Sequence, residues 1–372
     1  MRELDFQAVR DILDGCTTLA TGGGGDPARG LALLEAEYSA GRKVRLMDLD
    51  ELPDDALTCS PYFTGSIAPV SPEREARLAR LPRAAEPEAY LALRALERHL
   101  GISFTATVSI EYGGMNTAVA MATAARAGIP VVDADAAGRA VPDLEFSTYF
   151  ISGLRIDPMA LATRFGETVV LENVVDDFRA EDLVRSLAVA SGGMIATVDH
   201  PAHGRDCKAG AVIRGALSYA ERVGRAKREA LAAGRDPVEA AREAGSGQLV
   251  FEGVAERDAS WEDRGGFCYG ETHLLGTGPF EGSRYRIWFK NENMVAWRND
   301  EVDVTAPDLI CVLERDTGRP VNNPWVKEGM RVAVLAFPAP KEWLTPRGRE
   351  ILTPRFFGFD FDPRPIGKRT PA

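Results

Sequence analysis

Cysteine and histidine are both scarce in this 372-residue chain, with five of the first and four of the second. The cysteines, at positions 16, 59, 207, 268 and 311, are odd in number and scattered, which excludes a disulfide framework. No C-x-x-C pair is present, so the common structural zinc patterns are missing. Long apolar runs are missing as well, and none approaches the ~18–20 residues of a membrane span. Positive charge is in deficit: the net charge of -11 excludes sequence-independent nucleic-acid binding, which needs a basic stripe. The acidic start Met1-Arg-Glu-Leu-Asp is unlike a signal peptide, so a cytosolic protein with no membrane partner is expected.

What is present is an ordinary globular composition, 45% hydrophobic and 27% charged, long enough for two domains. Residues 1–168 alternate strand-like and helix-like segments and predict an α/β domain. Helices are expected near 5–15, 28–40, 87–100 and 117–127, and strands near 44–47, 57–60, 104–110 and 130–132, with residues 62–66 closing the second strand. A C-terminal region, 169–372, is expected to begin with a second α/β stretch (169–246). There a strand at 194–198 feeds a loop, and a long Ala-rich helix starts near 208. From 247 to 340 short alternating strands with Gly-rich turns predict a sandwich or small barrel. The Pro- and aromatic-rich tail from 338 is expected to pack back on a domain.

Half of the histidines and one cysteine fall within nine residues, Asp199-His200-Pro-Ala-His203-Gly-Arg205-Asp206-Cys207. Imidazole, carboxylate and thiol are the groups that do acid–base, nucleophilic and metal chemistry near neutral pH. Placed between a strand and a helix, the cluster occupies the usual site position of an open α/β sheet. A thiol just upstream of a helix would be favoured as thiolate, with Arg205 and Lys208 pushing the same way. The bland alternative is a polar loop with an inert cysteine.

Other junctions offer further groups. Residues 22–25 are four glycines followed by Asp26-Pro27, an arrangement that caps a helix and cradles an anion, or simply makes a tight turn. Gly23 and Gly24 are the candidate anion contacts. Neither a P-loop nor a Rossmann spacing is present. Glu111, Gly114 and Asn116 follow a second strand, with Asn116 fitting a helix cap. Asp133, Asp135 and Arg139 follow a third, and could bind a cation, orient a polar ring through the arginine, or form an internal ion pair. Glu292 and Asn293 belong either to a hydrogen-bonded turn or to one wall of the site. His273 and His99 read as structural.

The stretches GGGGDP, EYGGMN and VVDADAAGRAVPDLE resemble the family named for S-methyl-thiohydantoin desulfurase, formerly described as hydantoinase/oxoprolinase-related. The resemblance continues through VIRGALSYAERVG, FKNENMVA, APDLI and the FGFDF tail, and so covers essentially the whole chain. It implies an α/β three-layer N-terminal domain followed by a β-rich domain. It also implies hydrolytic removal of sulfur from a thiohydantoin ring, of the kind formed in ergothioneine breakdown. The family's usual FQNEN stands here as FKNEN, with Lys290 in place of a glutamine, and the HPAHGRDC stretch lies outside the family pattern.

Two designs fit these residues. In one, a Cys207 thiolate attacks the carbon bearing sulfur and water activated by His200 or His203 releases the product, with Asp199 assisting. In the other, His200, His203 and Cys207 bind a divalent metal such as Zn²⁺ that activates water. No cofactor is required by the first. The alternatives are a hydantoin- or oxoproline-like cyclic amide hydrolase and a non-catalytic small-ligand-binding protein. The expected partner is a small cyclic molecule, and the helix at 209–233 fits a subunit interface of a homo-oligomer as well as a domain interface.

Overall fold

The computed structural model describes residues 1–65 and 71–366, so Ser66 falls outside it. Among the described residues the first sheet has nine strands: β1 Arg2–Glu3, β2 Arg45–Met47, β3 Leu57–Gly65, β4 Ala106–Ser109, β5 Val131–Asp135, β6 Met159–Ala162, β7 Thr168–Leu171, β8 Met194–His203 and β9 Ile213–Arg214. Their order is β1-β2-β5-β4-β3-β8-β6-β7, with β9 on β5. The pairs among β2, β5, β4 and β3 are parallel, whereas β8 runs antiparallel to both β3 and β6.

Helices cover both faces of this sheet. They are α1 Phe6–Leu19, α2 Pro27–Ser39, α3 Pro72–Ala79, α4 Glu88–Leu100, α5 Asn116–Ala127, α6 Thr148–Ile151, α7 Asp177–Ala190, the short turn α8 Gly204–Asp206, α9 Ala216–Ala232 and α10 Pro237–Ala244. The two-residue strand period explains the layering. In β6, Met159 and Leu161 pack with Val184 and Ala188 of α7, while Ala160 and Ala162 pack with Leu93 and Leu96 of α4. Asp5 caps α1 and Asp26 caps α2, each accepting from a backbone N–H in the first turn.

The second sheet is antiparallel throughout: β10 Gln248–Ala255, β11 Ser260–Arg264, β12 Phe267–Gly276, β13 Arg284–Lys290, β14 Glu292–Arg298, β15 Glu301–Thr305, β16 Leu309–Glu314 and β17 Arg331–Phe337. Its path, β15-β14-β13-β12-β10-β17-β16 with β11 on β12, leaves β15 and β16 at its two ends. The mixed α/β and antiparallel β halves thus follow one another in the chain.

The halves share one core. Leu309, Cys311, Leu335 and Phe337 of the second sheet cluster with Ile12, Leu19, Leu217 and Val223 of α1 and α9. The tail closes a second contact, where fully buried Trp343 donates Nε1–H to the Ala137 carbonyl at 2.7 Å.

The long helix expected from residue 208 starts eight residues later. Cys207–Ala211 form one wide helical turn that Gly210 interrupts at φ 112°, and Gly215 (φ 69°) again departs from helical geometry before α9 begins. Cys207 therefore does not stand at the N-terminus of a long helix. Among the described residues no helix is long and apolar enough to cross a membrane.

Candidate active site

A cavity of about 1080 Å³ opens between the two sheets, and its wall is built from strand ends and the loops that follow them. Residues 22–25 form one side. The carbonyls of this loop are all engaged: Thr21 accepts from Asn293 N, Gly22 from Asn323 N, Gly24 from Met115 N, and Gly23 and Gly25 from Asn322 Nδ2. Among the described residues no acceptor engages the N–H of Gly24 or Gly25, both of which line the cavity beside the start of α2. Such a loop is suited to stabilise developing negative charge.

Two carboxyls face this loop. Glu111, two residues past β4, accepts from Asn116 Nδ2 at 2.5 Å and from Val141 N at 2.8 Å. Burial outweighs both bonds and raises it to about 7. Glu292 opens β14 directly after Asn291, which is in a left-handed conformation. Its Oε1 lies where a β-carbon on Gly23 would sit, and its Oε2 has no hydrogen-bond partner. Burial, then the charge of Glu111, lifts Glu292 well above the ordinary carboxylate range. Both carboxyls are thus held above the ordinary range, Glu292 by burial and the Glu111 charge against the opposing charge of Arg139, and such unequal surroundings separate an acid from a base.

Asn116 is the first residue of α5 rather than its cap, and its side chain bridges Glu111 and both backbone groups of Phe63. Lys290 pairs with Asp143 across the two halves and lies 4.1 Å from the Phe267 ring centre. The Lys290 ammonium gives the buried Asp143 carboxyl a counter-ion. Neither Asp143 nor Tyr62, which also lines the cavity, was singled out from the sequence.

The expected nucleophile is not in this wall. Cys207 is fully buried with Leu49, Leu52, Val108 and Tyr149, and its thiol lies 3.7 Å from Thr58 Oγ1. Burial pushes that thiol up to about 11, opposite to the expected thiolate. His203 is half-buried at the far end of β8, with Nδ1 3.3 Å from the Asp55 carbonyl. His200 is enclosed behind Asp199, and Asp199 alone of the cluster reaches the cavity. His200, His203 and Cys207 lie in three different surroundings, so they do not form a metal site. Among the described residues no group of three His, Cys, Asp or Glu side chains could hold a metal ion. The thiol that does line the cavity is Cys268, which burial raises to about 12.

The expected ring-holding triad is likewise built into the frame. Asp133 accepts from the backbone and hydroxyl of Ser218 and so caps the first turn of α9. Asp135 folds over its own loop, accepting from Ala137 N at 2.8 Å and Gly138 N at 2.6 Å. Arg139 is fully buried and joins the two halves, donating to Thr21 Oγ1 and to the carbonyls of Asn293 and Pro307. Asn293 bonds Ile310 and Asn323, and Gly114 packs under Pro27. Gly23, Gly24, Glu111, Asn116, Glu292 and Asp199 are the residues that the cavity brings together.

The model of the S-Me-THD-like N-terminal domain matches residues 7–173, and that of the S-Me-THD-like C-terminal domain matches residues 175–366. No curated protein matches the chain. A crystal structure of a protein from Chromobacterium violaceum superposes with a TM-score of 0.75, covering 98% of this chain and 100% of that one at 24% identity. At that identity the likeness shows the fold alone.

Proposed function

Because the chain belongs to the S-Me-THD-like family, we propose that it is a hydrolase that exchanges the ring sulfur of a thiohydantoin or S-methyl-thiohydantoin for oxygen. The observation that carries this reading is the pair of buried carboxyls lining one cavity, with burial raising Glu111 to about 7 and Glu292 well above its ordinary range. Attack on the carbon bearing sulfur needs a base for water, a place for negative charge, and an acid for the departing sulfur.

Glu111 takes one proton from water as the new C–O bond forms. The charge that moves onto the ring faces the N–H groups of Gly24 and Gly25. Glu292 delivers its proton to the sulfur as the C–S bond breaks: the S-methyl ring releases methanethiol and its new hydroxyl proton moves to the ring nitrogen, whereas from the thione the sulfur also takes the hydroxyl proton and leaves as hydrogen sulfide. A hydantoin remains, and the proton held by Glu111 passes to Glu292 through solvent to restore the pair. Asn116 holds the carboxylate of Glu111 in place. No step uses Cys207.

The pure protein, incubated separately with thiohydantoin, S-methyl-thiohydantoin and hydantoin, distinguishes this from cyclic amide hydrolysis. Release of sulfide or methanethiol without ring opening is expected. Ring opening of hydantoin with no sulfur released would overturn the proposal.

A further inference from the structure

Behind the wall formed by Tyr62 and Asp199 lies an array of buried polar groups that the steps above leave unused. Tyr62 donates its hydroxyl proton to Asp199 Oδ2 at 2.6 Å. Asp199 Oδ1 is 2.9 Å from His200 Nδ1, and His200 Nε2 is 3.9 Å from Asp177 Oδ2. The imidazole stacks on Tyr149 with ring centres 4.4 Å apart, and the Tyr149 hydroxyl meets Ser60 Oγ at 3.3 Å. Tyr62, Asp199, His200 and Asp177 are all at least nine-tenths buried. Asp199 Oδ1, Asp177 Oδ2 and both imidazole nitrogens lack a hydrogen bond of good geometry. His200 also holds a left-handed backbone at φ 44°, which is costly for a side chain of this size and recurs at binding sites.

A phenol has one proton to give. With that proton committed to Asp199 Oδ2, the Tyr62 oxygen offers the cavity lone pairs alone, and the carboxyl oxygen that receives the proton is itself an acceptor. Burial and the adjacent Asp199 charge hold the Tyr62 hydroxyl well above its ordinary range, so it keeps its proton at any working pH. This stretch of wall can therefore accept hydrogen bonds but not donate them.

We infer that Tyr62 and Asp199 form a subsite for an unsubstituted ring N–H of the substrate. His200, stacked on Tyr149 and with Nδ1 2.9 Å from Asp199 Oδ1, is the positioning residue that packs behind the Asp199 carboxyl. This rests on the reading that the cavity takes a five-membered cyclic urea or thiourea. It adds a specificity rule: the ring must present a free N–H on the side that meets Tyr62 and Asp199. An N-alkylated ring leaves the buried Tyr62 oxygen without a donor, which costs about tenfold to a hundredfold in affinity.

Calorimetric titration of the whole protein with hydantoin, 1-methylhydantoin and 3-methylhydantoin tests this without turnover. One of the two methylated rings is expected to bind at least about tenfold more weakly than hydantoin. Tyr62→Phe should weaken hydantoin by a similar factor and erase the difference between the rings. His200→Gln should reduce the N–H against N-methyl ratio while leaving the affinity for the disfavoured methylated ring unchanged, which a general loss of structure would not do. Equal binding of all three rings, discrimination that persists in Tyr62→Phe, or no hydantoin binding at all would overturn the inference. A protein that binds hydantoin with this selectivity yet releases no sulfur would instead overturn the desulfurase proposal alone.

Discussion

Asp135 ends β5 completely buried, with two backbone N–H groups on one oxygen. Burial raises it to about 7 despite those bonds. In the unfolded chain the same carboxyl titrates near an ordinary value of about 4. Between these values the folded protein binds more protons than the unfolded one, so stability present at low pH is lost as the pH rises toward 7. Each such group contributes a slope of up to about 1.4 kcal/mol per pH unit. Glu111 acts in the same direction. Asp135→Asn should therefore flatten the fall in melting temperature between pH 5 and pH 7 without abolishing it. Identical slopes in the two proteins would refute the assignment. For activity, the base form of Glu111 predicts a rate that climbs through about pH 7 and stays high while Glu292 keeps its proton. A kcat/KM profile that is flat from pH 5.5 to 8.5 would contradict it. The sequence indicated Glu111 by its place at a strand end. It gave no sign of which acids would be buried, since that depends on the second sheet.

The loop of residues 22–25 separates two consequences of one element. At Gly24 the backbone is left-handed (φ 74°), and an added β-carbon would overlap Gly113 Cα and the Tyr112 carbonyl. Backbone atoms do not yield, so Gly24→Ala should cost about 1–3 kcal/mol from conformation alone, visible in denaturant unfolding. At Gly23 the overlap is with the Glu292 carboxyl, the far end of a flexible side chain. Gly23→Ala should fold with nearly normal stability but lose at least about tenfold in kcat, since general acid–base catalysis is worth roughly 10²–10⁴. A Gly23→Ala protein with normal turnover would show that Glu292 is not where the reaction occurs. Most element types were legible because amphipathic spacing and the Asp5 and Asp26 caps are local signals. The run after residue 203 was misread because its helical periodicity hides the breaks at Gly210 and Gly215. That error alone gave Cys207 a helix terminus it does not have.

Across the whole molecule, the cavity exists because two sheets of different kind share α1, α9 and the tail as one core. The order of halves could be read from composition, since alternating strands without helices begin near 247. Long-range pairing could not. Residues 194–203 follow the first domain's last predicted strand by decades of sequence, yet they insert between β3 and β6. This insertion turns His200 and Cys207 inward and leaves Asp199 at the cavity. The Arg139 and Lys290–Asp143 contacts between the halves were equally invisible, because each partner is an ordinary loop residue until the sheets meet.

The central claim is that a buried carboxyl pair, rather than the Cys207 thiol, carries the reaction. Methanethiol release from S-methyl-thiohydantoin, compared between Glu111→Gln and Cys207→Ser, tests it most directly. The account predicts a loss of at least about 10²-fold in kcat for Glu111→Gln, with Cys207→Ser close to the parent. A Cys207→Ser protein that folds normally but releases no thiol, beside an active Glu111→Gln, would contradict it.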